Sequence, residues 1–539
     1  MKKIFAALLM VLVASALLVS GCGKSEPKTT EGTNTPAPAA KEKVLVWARS
    51  GDSVGLDPAN VTDGESMYVT HQIFETLVKY KDENTEVLPG LAERWDTSKD
   101  GKEWTFFLRK NVKFQDGTPF NAEAVKFNFD RWMDKNNPNH KGNFEYWQAM
   151  FGGFPGAVKA VTVVDDSTVK VVLEKPMAPF ISNLAMPPFA IGSPTAIKKY
   201  GEDFFKNPVG TGPFKFVEWV KDDHATVVKN ADYWGEKAKI DKIVFRVIPD
   251  NSARLMELEA GTIDIMTGVN PDDVKKVQGN ADLQVFLRPS MNVGYLAMNN
   301  DKKPYDNVKV RQAINYAINK QALVDAFYGG LAKTAKNPIP PSLWGYNDKV
   351  QDYGYDPAKA KALLAEAGFP KGFKTKLWAM PVARDYMPQP KEIAQAIQTN
   401  LAAVGIQAEI VTYDWGTYLK KGQDGEQELY LLGWTGDNGD PDNFMFALLD
   451  KTNAIKGSAQ NVAFYKSDKV HDILAQAQSE LDQAKRTALY EEAQVLIHED
   501  APWVPLVHST PPIAARKYVK GFIPHPTGGE TFANLDIEK

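Results

Sequence analysis

Cysteine is all but missing from this chain of 539 residues: Cys22 is the only one. That excludes an intramolecular disulfide and leaves no cysteine in the body of the protein to act as a nucleophile. Histidine is sparse as well. The seven are scattered singly, and the His498-Glu499 pair runs on into Asp500 and Ala501 instead of closing an H-E-x-x-H zinc motif. We expect no G-x-S-x-G elbow for a serine nucleophile, and Gly23-Lys24-Ser25 lacks the upstream glycine of a phosphate-cradling loop. Neither sign of charge dominates. The 63 basic and 67 acidic residues are interspersed and sum to −4, which leaves no electrostatic footprint for nucleic acid. Beyond the N-terminus no apolar run is long enough to cross a bilayer, and no unit repeats. Together these absences argue against an enzyme and require neither cofactor nor metal.

What is present begins with an address. Lys2-Lys3 precedes a run from Ile4 to Val19 that is apolar apart from Ser15, and small residues lead into Cys22. The basic flank and small-residue end fit a secretory signal better than a membrane span. The stretch from Lys24 to Lys43, rich in Pro, Thr, Ala, Lys and Glu, cannot bury a core and reads as a flexible tether. The remainder, with twelve tryptophans, is too long for one small core and implies two or three domains.

Strand and helix patterns alternate along that remainder. Trp104–Arg109 reads as a strand leaving the Asp100-Gly101 turn, and Val161–Val164 with Thr168–Leu173 reads as a hairpin around a polar Asp165–Ser167 turn. Asp356 is placed to cap a helix with Pro357 in its first turn, Leu363 and Leu364 on the buried side and Gly368 past its end. Asp306 or Asn307 opens another helix with Val310, Ile314, Ala317 and Ile318 on one face. Mixed elements throughout predict α/β lobes.

Two segments carry candidate chemistry. In Met380–Tyr386 the planar fork of Arg384 suits a carboxylate, although a solvated loop arginine has the same sequence appearance. In Gly433–Asn443 a Gly-rich turn offers Asp437, with Asp440 and Asp442 as rivals. An EF-hand calcium loop fails there, because counting from Asp437 positions three, five and twelve are Gly439, Pro441 and Leu448. Trp434 and Trp415 either wall a pocket or fill a core.

A series of landmarks in order, among them Leu91–Trp95, Val112–Phe120, Asn207–Phe214, Tyr233-Trp234 and Val308–Ala313, resembles the family 5 bacterial solute-binding proteins. Leu343–Asp348 and the two candidate segments resemble its dipeptide-binding branch. The resemblance implies an α/β, two-lobed periplasmic-binding-protein fold (class II, cluster C) with a hinge of two crossing segments and an extra subdomain in the first lobe. The expected layout is a lipoprotein signal peptide over 1–21 and a tether over 22–42. Lobe I follows over 43–288 with its subdomain near 74–208, then lobe II over 289–507 and a return to lobe I over 508–539. Cys22 resembles the lipidated residue of a lipobox, which implies a monomer anchored outside the cytoplasm. By the same resemblance Arg384 clamps a ligand carboxylate, Asp437 accepts its ammonium, and Trp434, Trp415 and Tyr386 line the site. Thr62, Asp63 and Gly64 would lend backbone groups, though Asp-Gly also favours an ordinary turn. The implied function is capture of dipeptides for the transmembrane subunits of an ATP-driven importer. Longer peptides, nickel complexes or haem are the alternatives within the fold, and an extracytoplasmic hydrolase or chaperone the alternative outside it.

Overall fold

The computed structural model describes residues 42–539; the expected signal peptide, Cys22 and the tether as far as residue 41 lie outside them. Two large mixed sheets organise the chain. The first runs, edge to edge, through Leu283–Leu287, Pro512–Arg516, Ile265–Met266, Val44–Arg49, Lys242–Val247, His224–Lys229 and Phe214–Val220. Val44–Arg49 pairs in parallel with both of its neighbours, and the outer strands pair antiparallel. The second runs through Ala332–Thr334, Trp503–Ser509, Asn292–Met298, Leu429–Thr435, Lys374–Trp378 and Gln407–Val411.

The strand Asn292–Met298 is buried at every position, as expected where helices cover both faces of a sheet. Tyr295, Leu296 and Met298 join a continuous core with Val310, Ile314 and Leu364 from the covering helices. Truncating a side chain such as Leu296 to alanine there should cost about 2–5 kcal/mol. The helices start where capping chemistry allows. Asp356 accepts from the Lys359 amide at 2.9 Å with Pro357 in the first turn. Asn307 caps Val308–Ala317 by accepting from the Lys309 amide at 3.0 Å.

A third, four-stranded antiparallel sheet, ordered Ala92–Thr97, Glu103–Leu108, Thr168–Leu173 and Val158–Asp165, lies within the stretch between the early strands of the first sheet. It has its own core of Phe106, Phe129, Trp132, Trp147 and Phe189, as an independent subdomain requires.

The chain passes between the two large sheets twice. It leaves the first at Leu287 and enters the second at Asn292; it leaves the second at Ser509 and re-enters the first at Pro512. The two crossings lie side by side. The Asn292 amide group donates to the Ser509 carbonyl at 3.0 Å and its Oδ1 accepts from the Ser509 amide at 2.9 Å, while the Arg288 amide donates to the Pro511 carbonyl at 2.9 Å. Paired short segments of this kind bend with little loss of packing, which is what a hinge needs.

Candidate functional site

A cavity of about 750 Å³ lies between the two large sheets, with the subdomain forming part of its wall. Its size is in the range that encloses small organic ligands, about 300–1,000 Å³. Arg384, Asp437, Trp434, Trp415, Tyr386, Thr62, Asp63 and Gly64 all line it. Asp440 and Asp442 do not.

Arg384 stands on a turn that the fold holds from several sides. Its amide donates to the Met387 carbonyl at 3.0 Å, and the Met387 amide returns the bond at 2.8 Å. The Tyr328 hydroxyl donates to the Tyr386 carbonyl at 2.9 Å, and the Ser509 hydroxyl to the Asp385 carbonyl at 2.7 Å. The turn rests on the second sheet because two glycines face each other beneath it. Gly294 pairs with Gly433; a Cβ on the first would meet the Tyr386 carbonyl at 2.7 Å, and one on the second the Tyr386 ring at 2.2 Å. The backbone is thus fixed while the Arg384 side chain stays exposed. Its guanidinium lies 4.9 Å from the Trp415 ring centroid and pairs with no carboxylate among the described residues. The adjacent Asp385 pairs instead with Arg288 at 3.1 Å, and Arg288 pairs with the fully buried Glu530 at 2.7 Å.

Asp437 lies just past the strand Leu429–Thr435. Asn443, in the following helix, organises the turn: its Oδ1 accepts from the Asp437 amide and from the Trp434 indole, both at 3.0 Å, and its amide group donates to Asp437 Oδ2 at 3.0 Å. The Tyr146 hydroxyl donates to Oδ1 at 3.1 Å. No cation among the described residues faces this carboxylate. Burial therefore pushes its pKa up to about 6, with the two side-chain hydrogen bonds opposing the rise. Asp440 is committed elsewhere: both of its oxygens accept from the Arg486 guanidinium at 2.8 Å in a buried pair. Asp442 accepts from Gln478 at 3.2 Å.

The two tryptophans are half-buried, each with one side on the second lobe's core and another on the cavity. On the opposite wall, Asp63 caps the helix Gly64–Ile73 by accepting from the Ser66 amide at 2.8 Å, and Gly64 is exposed with open space around its Cα. Further contacts join the subdomain to the turn that carries Asp437. Asn438 donates to Asn183 of the subdomain at 2.7 Å, and Gly439, with φ of +68°, sits where a Cβ would come within 1.9 Å of the Thr85 hydroxyl.

Sequence reasoning missed Tyr146, Glu65, Arg288 and Arg254, all of which line the cavity. Tyr146 stands 291 residues from its partner Asp437, so no local pattern joins them. One expectation needs correction: Gly51-Asp52-Ser53-Val54-Gly55 does match the elbow spacing. The strand before it leads into irregular backbone and not a helix. Ser53 is buried; its hydroxyl accepts from Arg49 at 2.9 Å, donates to the Glu65 carbonyl at 3.4 Å and meets no histidine. A nucleophile needs a base in reach, and this serine has none. Among the described residues no group of three or more His, Cys, Asp or Glu side chains is arranged to hold a metal, and no helix is long and apolar enough to cross a membrane.

Comparison with known proteins shows the family. The family described as bacterial extracellular solute-binding proteins, family 5 Middle, matches residues 86–456. The dipeptide-binding protein of Escherichia coli K12 is 43% identical over 523 residues, spanning 94% of this chain and 96% of its own. Heme-binding protein A of Haemophilus influenzae is 38% identical over 546 residues, 98% of each. Among solved structures, the ABC transporter-associated periplasmic binding protein DppA of Helicobacter pylori, in complex with the peptide STSA, superposes with a TM-score of 0.84 at 40% identity. That match covers 92% of this chain and 98% of that one.

Proposed function

The chain belongs to the family 5 bacterial extracellular solute-binding proteins, and from that membership we propose that it is the receptor of an ATP-driven importer, capturing dipeptides between its lobes. The observation that carries this reading is the pair of unmatched charges on one cavity: an exposed guanidinium at Arg384 and a half-buried carboxylate at Asp437. A free peptide supplies a carboxylate and an ammonium at its two ends. Each would find a counter-charge, and Asp437 would lose the desolvation penalty of standing alone. The relatives are named as binding proteins. Lobes closed over ligand would be the form that the permease recognises. Lipidation of Cys22, with the tether as a leash, would hold the receptor, as a monomer, at the outer face of a membrane.

Calorimetric titration with Ala-Ala, tri-alanine and free alanine tests the reading. Ala-Ala should bind tightest and alanine hardly at all. At one hundred times its dissociation constant Ala-Ala should stabilise the fold by about 2.7 kcal/mol. Absence of Ala-Ala binding sinks the proposal. A second reading, a receptor for longer peptides, is favoured by the 750 Å³ volume and by the four-residue peptide in the Helicobacter pylori relative. Equal or tighter binding of tetrapeptides selects it, and a thermal shift with haem alone would point to that ligand instead. For the anchor, Cys22→Ser should abolish incorporation of labelled fatty acid and leave peptide affinity unchanged.

A further inference from the structure

Asp437 is not the only carboxylate on the cavity wall that makes no ion pair. Glu65, in the first turn of the helix Gly64–Ile73, also lines the cavity. Its Oε1 accepts from the Ser50 hydroxyl at 2.6 Å, and its Oε2 is enclosed and has no hydrogen-bond partner among the described residues. Two arginines are near, yet neither pairs with this carboxylate. Arg49 donates to the Glu65 backbone carbonyl at 2.6 Å and pairs with Asp52 at 3.2 Å. Arg254 is held by the carbonyls of Ile248, Pro249 and Thr267 and by the Asn251 side chain. Burial raises the Glu65 pKa, with the Ser50 hydrogen bond and Arg49 opposing the rise. The helix dipole accounts for an acidic residue in a first turn. It does not account for a carboxylate on the wall of a ligand cavity that pairs with neither nearby arginine.

The rest of the wall leans the same way. Arg288 is matched by Asp385 and Glu530, and Arg384 is the cation assigned to the ligand carboxylate. Against the one remaining cation among the described residues of the wall, the carbonyl-bound Arg254, Asp63 and Glu145 add further acids outside any ion pair. We infer that Glu65 is a specificity-determining residue that accepts the cationic side chain of a bound peptide, making this a receptor with a preference for peptides containing lysine or arginine. The inference rests on the peptide-receptor reading above and names a substrate class within it. A charge-assisted hydrogen bond to a carboxylate in a water-poor cavity is the kind of contact that separates lysine from an uncharged side chain of the same length.

The test is calorimetry on the purified full chain with Lys-Ala and Ala-Lys, each against its norleucine counterpart, and with Glu-Ala against Gln-Ala. At least one lysine peptide should bind about tenfold tighter than its norleucine partner, and Glu-Ala more weakly than Gln-Ala. In Glu65→Gln the lysine-to-norleucine ratio should fall close to one. If that variant does not fold, Glu65→Asp decides: it keeps the charge but withdraws it by one methylene, and the ratio should drop several-fold. Equal binding of lysine and norleucine peptides by the unaltered protein overturns the inference, as does a preference that survives in Glu65→Gln. Ala-Ala keeps the two readings apart, because its binding without a lysine preference defeats only the role of Glu65, and its failure to bind defeats the peptide receptor itself.

Discussion

The hydroxyl of Tyr146 and the carboxylate of Asp437 stand 3.1 Å apart, the first on the subdomain and the second on the other side of the cleft. One carboxylate is thus both the expected anchor for a ligand ammonium and a point where the two walls meet. A group shared in this way couples binding to closure, because each contact holds the carboxylate in place for the other. Tyr146→Phe removes the bond and keeps the ring. It should weaken dipeptide binding by about tenfold, the typical worth of a hydrogen bond to a charged group, and raise the pKa of Asp437 further. An unchanged affinity in calorimetry would mean that the hydroxyl does not take part in closure.

The raised pKa of Asp437 gives binding a pH dependence with a definite sign. Its carboxyl holds a proton up to about pH 6 in the ligand-free protein, and an ammonium partner can pair only with the ionised form. Affinity should therefore be complete above about pH 7 and fall as the pH drops through 6, approaching tenfold per unit. The effect on stability runs the other way. The unfolded carboxyl ionises near its ordinary value of about 3.9, so the folded state holds the proton more tightly across the window from there to 6. Ligand-free protein should lose up to about 3 kcal/mol from this group as the pH rises through that window. Asp437→Asn should flatten the binding profile and remove this group's share of the stability profile, measured by titration and by thermal melts. Asp442, raised by burial to about 7, adds a loss of stability of the same sign that the variant leaves in place.

Local rules made much of this fold legible. The cap at Asp356, the stop near Gly368, where φ is +91°, and the β-branched run Thr168–Leu173 after a polar turn are short-range chemistry, and the helices and strands begin and end close to where that chemistry says. Leu364 is buried as its spacing predicts, while Leu363 is only half-buried, since the helix Pro357–Glu366 covers the core with a narrow stripe. Arg384 and Asp437 could be nominated from sequence because each sits in a distinctive local segment. Tyr146, Arg288 and Glu65 could not, because they come to the cavity only when the subdomain, the crossing segments and the first sheet converge on it. Ser53 shows the opposite failure: a motif with the right spacing and no partner in space.

The pairing of Asp440 with Arg486 separates a structural acid from a candidate ligand anchor. Both groups are buried and joined by two bonds of 2.8 Å, so Asp440→Ala strands a guanidinium in the core. Breaking such a pair by removing one partner should cost about 3–5 kcal/mol of stability. Peptide affinity at a temperature where the variant remains folded should be little changed, since Asp440 does not line the cavity. Lost affinity without lost stability would return Asp440 to candidacy for the ammonium.

The strongest test of the two charged anchors treats ligand and protein as halves of one cycle. Asp437→Ala leaves an incoming ammonium in the cavity without its counter-charge, and Arg384→Ala does the same to the carboxylate. Each should cost about 2–5 kcal/mol in binding, the usual result of removing one partner of a desolvated pair. Exposed charges away from the cleft, such as Lys309 with Glu366, should matter by less than about 1 kcal/mol. Acetylating the peptide amine should weaken binding strongly in the unaltered protein and much less in Asp437→Ala; amidating the carboxyl should do the same with Arg384→Ala. Titration of the four combinations gives a coupling free energy for each end. A coupling near zero at the amine end, with both single changes still costly, would show that the ammonium lies elsewhere in the cavity, and Asp63 and Glu65 on the facing wall become the groups to remove next.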